Sequence, residues 1–145
     1  MEKFDREIPW SDTFLAVGEP EMDGEHQQFI RLLNELNKAI ETDDRKTIEQ
    51  LLNSVLSDAT CHFHHEQQLL EKWNYPKAKA HAKRHAELTE QCSRAMKEMR
   101  EADNDRLWPL RGRQIKQWLF EHLAHDDAEY ADFLRERRGS HKTRR

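Results

Sequence analysis

The sequence predicts an all-α fold: an up-down-up-down antiparallel four-helix bundle preceded by an extended N-terminal arm. Three observations predict it. Apolar residues recur in alternating steps of four and three along long stretches, the spacing of a bundle seam. Charged residues make up 36% of the chain against only four glycines and four prolines, a balance that favours helices over a turn-rich sheet. The stretches are separated by short turn-forming segments, so neighbouring helices must reverse direction. At 145 residues the chain suits one domain with a real core. We divide it into an arm over 1–22, a bundle over 23–137 and a basic tail over 138–145.

The arm carries Pro9, Gly18 and Pro20 and has no helical period; Trp10, Phe14 and Val17 are expected to pack on the bundle. Asp23 reads as the N-cap of a first helix over about 24–42, with the stripe Phe29, Ile30, Leu33, Leu36 and Ile40. Asp43 or Asp44 caps a second helix running to about Asn74. Its inward positions are Ile48, Leu52, Val55, Ala59, His62, Glu66, Leu69 and Trp73. Tyr75-Pro76 ends that helix and opens a third, over about 77–101, because proline fits a first helical turn. Its seam is Ala78, His81, His85, Leu88, Cys92, Ala95 and Met99. The fourth helix starts near Trp108-Pro109 and runs to about Arg137. It turns Ile115, Trp118, Leu119, His122, Leu123, Asp127, Tyr130 and Leu134 inward. Gly112, near its start, is expected to cost a little stability. The basic C-terminal end is expected to fray.

Composition narrows the function. The net charge of −4 exerts no pull toward nucleic acid. No apolar run is long enough to span a bilayer, and the N-terminus shows no apolar signal region. These features predict a soluble cytoplasmic protein with no membrane partner. Cys61 and Cys92 form no CxxC pair and read as buried thiols rather than a disulfide. No exposed apolar stripe stands out, so a monomer is expected.

The unusual count is histidine, with nine. His26, His62, Glu66, His81, His85, His122 and Asp127 all occupy seam positions where apolar residues belong. Burying such groups is costly unless they are paired or bind a metal. In an antiparallel bundle, His26 early in the first helix, His62 and Glu66 late in the second, His81 and His85 early in the third, and His122 with Asp127 late in the fourth meet at one end. His62 with Glu66, and His81 with His85, stand four apart on one helix face. His122 and Asp127 are five apart, about 140° around an ideal helix, which alone is weak support for a shared site. Any one of these pairs alone reads as an ordinary surface feature. Taken together, they point to metal ligands. His64 and His65 are expected to point away from the His62–Glu66 face. His125 reads as an outer neighbour or a surface residue, and His141 lies in the tail.

Seven side chains exceed a four-ligand zinc site. They suit two six-coordinate first-row ions sharing carboxylates, and imidazole with carboxylate favours iron over calcium or magnesium. The chain has no ExxH motif, so the glutamate-rich ferritin-like pattern is absent.

The segments Asp23-Gly24-Glu25-His26, His62-Phe63-His64-His65-Glu66, Tyr75-Pro76 followed by His81 and His85, and Trp118-Leu119 before His122 and Asp127 resemble the hemerythrin family, in its single-domain bacterial form. Trp10 and Gly18 resemble the arm of bacterial members. Leu70 and Gln67 replace residues common in the family, and histidine at 64 and 65 is not typical of it.

The resemblance implies one iron on His81, His85 and His122 and another on His26 and His62. The two would be bridged by Glu66, Asp127 and a solvent-derived oxo or hydroxo group. It implies reversible binding of molecular oxygen at the two-histidine iron, for storage, buffering or delivery, with an oxygen-consuming enzyme as a conceivable recipient. On this reading the protein is not an enzyme. Ile30, Phe63, Trp118 and Leu119 lie beside the proposed ligands and are expected to wall a dry oxygen pocket. Competing readings are an oxygen or redox sensor acting through a partner, a di-iron peroxide or nitric oxide reductase, and an iron store.

Overall fold

The computed structural model describes residues 7–10 and 15–143, with side chains described through Arg138. Helices α1 (Pro20–Thr42), α2 (Arg45–Lys72) and α3 (Ala78–Ala102) are followed by α4 (Leu107–Glu121). A π-helical turn, His122–Asp126, then joins α4 to α5 (Asp127–Thr143), so α4, the turn and α5 form one interrupted fourth helix. Consecutive helices pack on one another, and α1 also packs on α4, which closes the four-helix bundle. No described residue is in a strand, and no helix is long and apolar enough to cross a membrane.

The connections are short because each of the first three helices is followed by a residue in the left-handed region: Asp43 (φ 57°), Asn74 (φ 58°) and Asp103 (φ 47°). Asp and Asn tolerate that conformation, which stops a helix and lets the chain fold back. The first helix begins about one turn earlier than its sequence suggested. Pro20 fills a first-turn position, and the Glu19 carboxylate accepts the amides of Glu21 and Met22 at 3.1 and 3.3 Å. Asp23, expected as the N-cap, instead accepts the Val17 and Gly18 amides at 2.7 and 3.2 Å and ties the arm to the helix. The arm is further pinned by a reciprocal pair, Ile8 N–H to Asn34 Oδ1 and Asn34 Nδ2 to the Ile8 carbonyl. Trp10 packs partly buried on the core and Val17 is buried; Phe14 lies outside the described residues. At the other end α5 continues to Thr143, past the expected boundary at Arg137. Arg137 donates to the Trp73 carbonyl, and Arg138 donates to the Gly18 carbonyl.

The core has two apolar clusters. The larger runs through Leu33, Leu36, Ile48, Leu52, Val55, Leu88, Met99 and Ile115. The smaller gathers Val17, Met22, Leu70, Tyr75, Ala78, Tyr130, Ala131 and Leu134. In α2 the last seam position is Leu70, fully buried; Leu69 and Trp73, expected there, pack partly buried at its margin. Gly112 is buried where α4 crosses α1, and a Cβ there would stand 3.2 Å from Ile40 Cδ1. Its missing side chain permits that close approach, which a propensity argument alone does not capture. Cys92 is buried and free, whereas Cys61 is exposed on the outer face of α2, contrary to expectation. Lys116, which no periodicity argument had placed, is buried and donates to Asn37 Oδ1 at 2.8 Å.

Candidate metal centre

The polar seam residues sit where the two clusters meet. His26 follows Met22 and precedes Phe29 on α1. His62 and Glu66 separate Ala59 from Leu70 on α2. His81 and His85 lie between Ala78 and Leu88, and His122 with Asp127 between Leu119 and Tyr130. All seven are buried, none more than 6% exposed. That four chain segments bring them together confirms the antiparallel arrangement of their helices.

The π-helical turn explains the five-residue spacing. Its closing bond runs from the Asp127 N–H to the His122 carbonyl. A turn closed i to i+5 stacks residues five apart, so His122 and Asp127 share one face where a regular helix would splay them. Their Nε2 and Oδ1 atoms are 3.3 Å apart.

The two carboxylates divide the five imidazoles into two groups. Glu66 Oε1 faces His81 Nε2 at 3.0 Å and His85 Nε2 at 3.2 Å, and Asp127 Oδ1 faces His81 at 3.1 Å and His122 at 3.3 Å. Glu66 Oε2 faces His26 Nε2 at 3.0 Å and His62 Nε2 at 3.3 Å, and Asp127 Oδ2 faces His26 at 3.3 Å. Each carboxylate therefore offers one oxygen to a three-histidine side and the other to a two-histidine side.

Neighbouring groups hold the rings. His62 Nδ1 donates to Glu25 Oε1 at 2.7 Å, and His122 Nδ1 donates to Asp126 Oδ2 at 2.8 Å. Arg84 Nε reaches the same Asp126 oxygen at 3.3 Å. A carboxylate on Nδ1 fixes the ring with Nε2 aimed inward, the usual support for a metal-bound histidine. The Tyr130 hydroxyl donates to Glu66 Oε2 at 2.8 Å. Helical periodicity marks neither Glu25 nor Asp126 as such an acceptor. Each directly adjoins a seam residue in sequence, the one signal that was available. Phe63 stacks on His85 (centroids 4.0 Å, 7° between planes) and meets His122 edge-on. Ile30 and Leu119 are buried in the apolar cluster beside the site, and Trp118 packs partly buried against it. His64 and His125 are exposed, as expected of residues outside the site. His65 is not free of it: its Nδ1 lies 2.5 Å from Glu25 Oε2, so three residues along α2 from His62 it still faces α1.

The electrostatics are those of a site built for cations. Burial would raise Glu66, but bonds from His26, His62, His81 and His85 hold its carboxyl well below the usual range. Burial and Glu66 would likewise raise Asp127, yet His122 and His81 bring it down to about 2. Burial disfavours the imidazolium of His62, but Glu66 and Glu25 raise its pKa to about 9. Asp127 and Glu66 do the same for His81, also to about 9. His122, drawn up by Asp127 and Asp126 against its burial, reaches about 10. His85 moves the other way, lowered by burial and by the neighbouring His122 and His81 despite its bond to Glu66. Protons thus supply the positive charge that metal ions would bring.

The residues fit a pair of ions. Both Asp127 oxygens and His62 Nε2 are buried without a well-aligned hydrogen bond, and His85 Nε2 faces His122 Nε2 at 2.9 Å. Buried polar atoms left in that state need an explanation, and cations between the imidazole nitrogens and carboxylate oxygens would provide one. A donor set of imidazoles and carboxylates suits first-row transition ions.

Residues 17–134 match the family described as "Hemerythrin HHE cation binding domain". The chain is 30% identical over 127 residues to a bacteriohemerythrin of Stenotrophomonas maltophilia (strain R551-3), covering 86% of this chain and 80% of that protein. It is also 30% identical over 130 residues to the bacteriohemerythrin of Pseudomonas aeruginosa (strain UCBPP-PA14), covering 88% and 82%. Its fold matches a crystal structure of wild-type hemerythrin with a TM-score of 0.72 at 21% identity, over 86% of this chain and 95% of that one. A family match across most of the bundle, together with a buried histidine and carboxylate cluster in its core, leads to one conclusion: the chain belongs to the hemerythrin family.

Proposed function

We propose that this chain holds two iron ions and binds molecular oxygen reversibly as a carrier or buffer, without turning it over. The observation that carries the reading is the division of the site by its carboxylates: Glu66 turns one oxygen to His81 and His85 and the other to His26 and His62, and Asp127 turns one to His81 and His122 and the other to His26. The bridging carboxylates would be Glu66 and Asp127, joined by a solvent-derived oxo or hydroxo group. When bound, a ferrous pair supplies the electrons that reversible oxygen uptake requires. The side with fewer histidines would leave a coordination position unfilled.

The chain's own residues hold the site in shape. Glu25 and Asp126 hold the His62 and His122 rings, and Tyr130 steadies Glu66. Ile30, Phe63, Trp118 and Leu119 are the proposed wall that keeps water and protons from the oxygen position. Replacing Leu119 with Ala is expected to speed autoxidation of the oxygenated protein severalfold, read as decay of its visible band. An unchanged rate would reassign Leu119 to ordinary packing.

The reading is tested by a visible spectrum of the anaerobically reduced protein, then under oxygen, then degassed, with iron counted per chain. Two irons and a band that appears with oxygen and disappears on degassing support it. Immediate, irreversible oxidation favours the sensor or enzyme reading. Sustained turnover with added reductant would make the protein an enzyme, and many irons per chain would make it a store.

A further inference from the structure

Beside the seven core residues, and sharing His62 with them, α1 and α2 present a second polar feature. Glu21 and Glu25 stand four apart on α1, and His62 and His65 stand three apart on α2, so each pair lies on one helix face. The four interleave. Glu21 Oε1 lies 3.1 Å from His65 Nε2, Glu25 Oε2 lies 2.5 Å from His65 Nδ1, and Glu25 Oε1 lies 2.7 Å from His62 Nδ1. The side chains become progressively less exposed along this ladder: 56% at Glu21, 33% at His65, 32% at Glu25 and 5% at His62. Carboxylate and imidazole alternate from the surface to the core.

Glu25 is the weak point of that support. It lines a surface cleft of about 290 Å³ together with Gln28, Asp58, Cys61, His62 and His65. Water in the cleft competes for its carboxylate, and a glutamate side chain has rotamers that would carry it off His62. Losing it would leave the His62 ring free to turn about its χ2 bond. His65 occupies the second Glu25 oxygen, and Glu21 occupies the far nitrogen of His65, so both are held in place.

We infer that His65 is a positioning residue for the two-histidine half of the centre: it clamps Glu25, and Glu25 aims His62 Nε2 at Glu66. The inference rests on the two-ion reading above. The three-histidine half has separate support, Asp126 on His122, with Arg84 behind it. A loss of His65 therefore acts on one ion and leaves the other.

The test uses the full-length chain stripped of metal and titrated with Co²⁺ alone, followed by visible absorption and calorimetry. The wild-type chain is expected to take two ions. His65→Ala is expected to weaken one of them about tenfold, the lower end of the effect of removing an outer partner of a ligating histidine. The other ion stays within about twofold. His65→Asn keeps an N–H near the Nδ1 position that faces Glu25, and is expected to restore most of the loss. In a Glu25→Gln background, His65→Ala should add less than about twofold, because its action passes through Glu25. Two ions bound as tightly by His65→Ala as by wild type would overturn the inference, as would equal weakening of both. A wild-type chain that does not take two ions would overturn the two-ion reading and this inference with it.

Discussion

At the scale of single residues, the site depends on groups that touch a ring from behind as much as on those that face its centre. Asp126 is on the surface side of His122, and its carboxylate is held low by His122. Asp126→Ala is expected to leave the fold intact and weaken ion retention at least about tenfold, measured as the rate of iron loss to a chelator. Retention equal to wild type would remove Asp126 from the centre. The raised imidazoles make a second expectation specific. In the metal-free chain, His62 and His81 titrate near 9 and His122 near 10, against an ordinary value of 6.5. A raised pKa stabilises the folded state fully below the unfolded value, and that contribution is lost as pH rises through the folded one. The lowered carboxylates act in the opposite sense: their contribution is present above the ordinary 3.8 to 4.5 and is lost as pH falls, through about 2 for Asp127. The melting temperature of metal-free protein is therefore expected to be highest between about pH 4.5 and 6.5 and to fall toward pH 10. Ion binding displaces the imidazole protons, so the gap between loaded and metal-free melting temperatures should widen from pH 6 to 9. A metal-free melting temperature that rises over that range would contradict the assigned charges.

At the scale of elements, the interrupted fourth helix is the critical piece. The π-helical turn at His122–Asp126 puts Asp127 over His122 and, beyond it, orients Tyr130 toward Glu66. Deleting Ala124 would let the turn close as ordinary helix with His122 and Asp127 four apart, still on one face. Deleting Ala128, beyond the turn, would instead rotate Tyr130 and Leu134 by about 100°. The first chain is expected to keep its iron content and the second to melt lower, because Tyr130 and Leu134 leave their cluster. Loss of iron from the first chain would show that the π turn does more than absorb one extra residue. Packing at the other end depends on Gly112. Gly112→Leu would force a side chain against Ile40 and Ile48, and is expected to cost about 1–3 kcal/mol in urea unfolding, as overpacked positions do. An unchanged midpoint would mean that α4 can move outward freely.

At the scale of the whole molecule, the bundle is an apolar column in which all four helices turn polar residues inward at one level, between two apolar clusters. The interruption is tolerated because the charges are mutually compensating and buried together; one member alone would be an uncompensated cost. Among the described residues Leu110 is the one exposed large apolar side chain. The arm and the end of α5 come together through Gly18 and Arg138, beside the smaller apolar cluster that holds Val17 and Leu134.

The sequence by itself determined the helical class and the seven side chains that meet in the core. Their legibility has one physical reason: a polar residue in a bundle seam violates a period of four and three, and seven such violations at matching depths require a common partner. The resemblance to the hemerythrin family was carried by the same residues. Only the tertiary structure decided the rest. His122 and Asp127 looked mismatched until the π turn stacked them, because helix periodicity assumes an unbroken helix. Glu25, Asp126 and His65 are ordinary charged residues in any one-dimensional reading, and their roles arise from a facing helix. Asp23 had the chemistry of a cap, but Pro20 and Glu19 compete for that position, and only the folded chain shows which wins. Cys61, expected buried, is exposed, and Lys116, which no period placed, is buried. Local pattern predicts which face turns inward, whereas burial of a single side chain depends on what the neighbouring helix places opposite it.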